Sequence, residues 1–187
     1  MNRILLCSLL AGACIAGSAQ AAPRFSTPLG QIFERVCLNN RPDFDKAIEG
    51  LEAAGYVEAS TNDDAVLAIR KFETVIGETP WAVQIADRVR KEQEGAAPKR
   101  IRACTVIGVD PGNAGEEELG LWLGLPKPEA GKATVGLFAE KDGKRRLITA
   151  APADTGPALQ DGGFYTLAVV NTDAGKTAML IFVSPAP

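Results

Sequence analysis

The residues that could do chemistry in this chain are four cysteines and several runs of adjacent charges, with no histidine anywhere. A cysteine nucleophile needs a base, most often an imidazole. The lack of histidine therefore argues against a reactive Cys37 or Cys104. It also weakens a zinc site, most general-base schemes and a serine–histidine–aspartate triad. No Cys-x-x-Cys pair is present, so dithiol redox chemistry lacks its motif. Glu116, Glu117 and Glu118 are adjacent, and three adjacent helical positions splay around the axis. They read as acids favoured by the dipole in a helix's first turn, as do Asp63 and Asp64. Asp110-Pro111-Gly112-Asn113 resembles a calcium loop only in its opening, without the later ligands or the closing glutamate. The glycines lack a phosphate-cradling spacing. No cofactor, metal or catalytic group is implied.

Two further sets could bind something. Lys141, Lys144, Arg145 and Arg146 gather at one turn, as an anion or partner site or as a solvated tip that guards strand edges. Lys99, Arg100 and Arg102 form a smaller basic group. Trp81 and Trp122 are core side chains or, if exposed, walls of a cleft. A net charge of −3 gives no electrostatic footprint for nucleic acid.

The first 21 residues read as a cleaved secretory signal: Arg3, then an apolar run too short to span a bilayer, then Ala19-Gln20-Ala21. Cleavage between Ala21 and Ala22 leaves one domain, 22–187, in the periplasm or outside the cell. The alternative is a lipoprotein anchored through Cys14, although the aliphatic residue expected three places earlier is missing. No later apolar run is long enough for a transmembrane helix. Cleavage leaves Cys37 and Cys104 as a single pair. In an oxidising compartment such a pair forms a bridge, stabilising by about 4 kcal/mol for a long loop; the alternative is two buried free thiols.

The elements that must position these residues change character midway. Thr27-Pro28 starts a helix carrying Leu29, Ile32, Phe33, Val36 and Cys37 on one face. Phe44, Ala47, Ile48, Leu51 and Ala54 mark a second helix, stopped by Gly55. Residues 62–76 and, less cleanly, 79–94 keep a helical period, although Trp81, Val83 and Ile85 in the latter also alternate. From residue 100 strand patterns take over, with a short helix after Gly115 and hairpin turns at 141–144 and 172–175. Residues 152–163 are rich in proline and glycine and read as a loop. The last hairpin is apolar enough to lie centrally, covered on both faces. The expected fold is α+β: N-terminal helices packed on a C-terminal antiparallel sheet of about five strands, with one disulfide.

Phe33-x-x-Val36-Cys37, followed by a helix ending in Leu51, Gly55 and Tyr56 and by a later strand cysteine, Cys104, is similar to small exported proteins of proteobacteria. The resemblance implies a periplasmic, disulfide-bonded protein and brings no activity with it. The expected function is a non-enzymatic interaction or accessory module, a monomer whose partner is a periplasmic or envelope protein. A carrier of a small apolar ligand between helices and sheet is the alternative, and a carboxylate-dependent enzyme acting on glycans is a third.

Overall fold

Eight strands rather than five form the sheet, and helices are interspersed among them. The computed structural model describes residues 25–40, 43–63, 67–90, 99–118, 120, 124–126, 128–142, 144–172 and 175–186. Helix α1 (Pro28–Phe33) runs into a π-helical turn (Glu34–Leu38), and α2 (Phe44–Ala53) follows. The strands are β1 (Val57–Asp63), β2 (Leu67–Ile76), β3 (Thr79–Arg90) and β4 (Lys99–Val109), then, after α3 (Ala114–Glu118), β5 (Ala133–Lys141) and β6 (Lys144–Ile148). Helix α4 (Pro152–Gln160) precedes β7 (Phe164–Thr172) and β8 (Gly175–Pro185). All neighbours are antiparallel, in the order β1-β2-β3-β4-β8-β7-β5-β6.

The first helix forms as its sequence demands. The Thr27 hydroxyl accepts from the Gly30 amide (3.2 Å), and Pro28 occupies the first turn, where its missing N–H is not needed. Leu29, Ile32, Phe33, Val36 and Cys37 are all buried. Asn40 ends the segment by donating its amide to the carbonyls of Arg35 and Val36 (both 3.0 Å). Helix α2 is capped by Asp43 and closed by Gly55 at φ +82°, where Tyr56 N–H reaches back to the Leu51 carbonyl.

These helices cover one face of the sheet. Residues two apart on a strand share a face, and the register aligns Phe72, Val83, Val106, Leu180 and Leu167 across five strands of the inner side. Each is fully buried. The Cys37–Cys104 disulfide crosses this core, joining the π-helical turn to β4 with the Cα atoms 5.6 Å apart. Phe138 stacks on Tyr165 (centroids 4.8 Å apart), and Phe33 and Phe182 surround the same tyrosine.

Residues 62–76 are not a helix: Asn62 belongs to β1, and Leu67–Ile76 is β2. Residues 79–90 are β3, the strand alternative. Their apolar residues fit both periods because the outer sheet face is itself partly apolar. Gly77, at φ +66°, turns β2 into β3. Pro80 lies beyond the last β3–β4 pair, Trp81–Gly108, so its missing N–H breaks no bond to β4. The stretch read as a loop contains α4, which starts on Pro152 and buries Thr155, Ala158 and Leu159. The last hairpin is central, but its outer side chains Met179, Ile181 and Val183 remain partly exposed. Among the described residues no helix is long and apolar enough to cross a membrane.

Arg70 secures the β1 edge. Its guanidinium donates twice to Glu58 (2.8 Å each), approaches Glu52 of α2 (3.5 Å) and lies 5.0 Å from the centre of the Phe72 ring. Arg70→Ala should cost about 1 kcal/mol, combining a part-exposed ion pair with a cation–π contact. Urea unfolding of the variant against the parent measures it.

Candidate functional site

Two surfaces are built from the sheet. On the outer face, the register sets Val57, Glu73, Ala82, Ile107, Met179, Ala168 and Val135 in one row across seven strands. At strand spacing the row is roughly 29 Å long. Val57 and Val135 at its ends are 69% and 54% exposed, and Val75 and Val109 beside it are also exposed. A shallow hollow of about 430 Å³ opens here, lined by Val75, Pro80, Trp81, Ala82, Ile107 and Val109. Lys71 and Glu73 form an ion pair at its margin. By strand parity, Lys144 and Arg146 lie on this face at the opposite edge.

The second surface lies at the end of the inner face where β5, β7 and β8 meet the α4–β7 turn. A hollow of about 450 Å³ is bounded by Glu140, Asp161, Tyr165, Phe182 and Ser184, with Gly162 and Gly163 on its rim. Gly163 has φ +131°, and a Cβ there would press on the Val183 carbonyl and the Phe182 ring. Only glycine lets the chain lie this close. The Ser184 side chain is 4% exposed, and its hydroxyl has no hydrogen-bond partner.

The structure divides the basic cluster at 141–146. Lys141 Nζ bonds Asp161 (3.1 Å), and Arg145 Nε lies 3.5 Å from Glu140. Burial lowers the Arg145 pKa, opposed by the charges of Tyr165 and Glu118. Lys144 and Arg146 stay exposed on the other face. Arg102 and Arg100 converge on Asp87, at 2.7 and 3.8 Å. Trp81 is 4% exposed and packs its ring against Gly108, so it is mainly a core residue with one edge at the outer hollow. Trp122, Cys14, the Ala21–Ala22 cleavage site and the Lys99 side chain lie outside the described residues.

The adjacent glutamates do splay, but not all outward. Glu116 pairs with Lys176 (2.9 Å), whereas Glu118 is 1% exposed. Thr27, the cap of α1, donates its hydroxyl to Glu118 Oε1, while Oε2 has no hydrogen-bond partner among the described residues. Burial raises this carboxyl's pKa, with the Thr27 bonds and Arg145 opposing. The signal was present in the helical period. Ala114 and Glu118 are four residues apart and share a side, and Ala114 is buried.

The chain matches no protein-family model, no curated protein and no solved structure.

Proposed function

We propose that the protein is an exported, non-enzymatic interaction module that docks a partner protein on the outer face of its sheet. The observation that carries this reading is the apolar row from Val57 to Val135, open to solvent at both ends and unbroken by charge except at Glu73. Ala168 within the row is buried, but the exposed apolar side chains around Val57, Val75, Val109 and Val135 are of the kind that marks interaction sites. The cationic Lys144 and Arg146 at one edge suit a partner that flanks its apolar patch with carboxylates. The carrier reading has less support, because Phe33, Val106, Leu180 and Phe182 fill the space between helices and sheet. The amino-terminal signal supports export.

A photo-crosslinking side chain at position 109 or 135 of the exported protein should capture an adduct of one and the same mass. The same group at Glu49, exposed on α2, should not. Absence of an adduct, or equal capture from all three positions, would overturn the reading. Val109→Lys and Val135→Lys should abolish capture while shifting stability by no more than about 0.5 kcal/mol, as exposed substitutions do.

A further inference from the structure

The hollow at the end of β5, β7 and β8 lies on the opposite side of the sheet from the outer row and has a different chemistry. Among the described residues its lining carries two carboxylates, from Glu140 and Asp161, and no lysine or arginine. Two aromatic rings, Tyr165 and Phe182, contribute walls with their centroids 4.9 Å apart. Both rings are almost wholly buried, so they offer the hollow an apolar floor. Ser184 adds a buried hydroxyl with no hydrogen-bond partner in the protein. A buried polar group in that state costs free energy until something satisfies it. The volume, about 450 Å³, lies within the range of small-ligand sites.

We propose that this hollow binds an organic cation, an ammonium or guanidinium group on a short alkyl stem. Asp161 supplies the counter-charge, the aromatic floor receives the stem, and the Ser184 hydroxyl accepts a hydrogen bond. Glu140, held by Arg145, forms the acidic wall behind it. The Lys141 ammonium occupies Asp161 from outside the hollow (3.1 Å). That ion pair is exposed and therefore weak, so an incoming cation displaces it at little cost. Lys141 thus acts as a competitor for the site. The cation arrives either as a free small molecule or as the side chain of a partner's lysine or arginine, and the chemistry is the same for both. The inference is independent of docking on the outer face.

Calorimetric titration of the disulfide-bonded mature protein tests it with three probes: agmatine, the blocked tripeptide acetyl-Ala-Arg-Ala-amide, and the same tripeptide with neutral citrulline in place of arginine. Saturable binding of agmatine alone identifies a small-molecule site, and binding of the arginine peptide alone identifies a side-chain receptor. Citrulline should not bind in either case. Asp161→Asn should weaken binding about tenfold, the scale of one charge-assisted hydrogen bond. Ser184→Ala should weaken it about threefold while leaving thermal stability unchanged or higher, because it removes an unsatisfied hydroxyl. Lys141→Ala should tighten binding, an outcome that loss of fold cannot mimic. The proposal is overturned if neither cation binds, if citrulline binds as well as arginine, or if Lys141→Ala and Asp161→Asn shift affinity in the same direction.

Discussion

Replacing Cys37 and Cys104 together by alanine should lower the stability of the folded chain by about 4 kcal/mol. The bridge spans 67 residues of sequence, and a loop of that length removes substantial entropy from the unfolded chain. The loss is comparable with the whole net stability of many small domains. It falls on a definite place. The loop contains α2 and β1 to β3, and the bridge holds the π-helical turn onto β4 beneath them. Both sulfurs are fully buried, so a reductant should act slowly on the native protein and quickly once it is unfolded. Guanidinium titration of the double variant, compared with the parent before and after reduction under denaturing conditions, measures the effect. A change below about 1 kcal/mol would mean that the unfolded chain is already compact enough to need no tether.

The second large effect concerns Glu118. Burial holds its pKa in the folded protein above the ordinary value of 4.5. The folded state therefore retains a proton that the unfolded state releases. The associated stability is fully present below pH 4.5 and is lost as pH rises through the folded value. Other shifted carboxyls act in the opposite sense and at lower pH. Arg70 lowers the pKa of Glu58, and Thr149 lowers that of Asp154, so their contributions are complete once pH exceeds their ordinary values of 4.5 and 3.8. With no histidine in the chain, the range above pH 4.5 reports mainly on Glu118. The parent should lose stability across it, and Glu118→Gln should stay flat. By pH 8 the variant should be the more stable by roughly 1–3 kcal/mol, the usual cost of a poorly satisfied buried polar group. Parallel slopes for the two proteins in thermal or urea unfolding would show that Glu118 does not titrate in this range.

What could be read in advance follows from how cleanly each segment separates its two sides. Helices α1 and α2 were legible because one face of each is apolar, the other is polar, and each has a cap. The disulfide followed from an even cysteine count and the expectation of export. Strands β2 and β3 were hidden by the outer face. Ile69 and Val75 point outward while Phe72 points inward, so apolar residues occur at both parities and also match a helical period. Helix α4 was obscured by Pro152, Gly156 and Pro157, which signal a loop when burial is not known. The acidic hollow could not be read at all. Glu140, Asp161 and Ser184 come from three separate segments, and only the sheet order brings them together.

That order carries a consequence for the time course of assembly. Strand β8, which follows the other seven in sequence, lies between β4 and β7, not at an edge. Until its 11 residues are available, the chain can build only two separate ladders, β1–β4 and β5–β7 with β6. Each ends in a strand with unpaired backbone groups and an apolar inner side. Val106 awaits Leu180, and Tyr165 awaits Phe182. A chain stalled or clipped before Gly175 therefore exposes two complementary open edges, suited to pairing with another unfinished copy. Insertion of β8 thus both joins the two ladders and protects them against self-association.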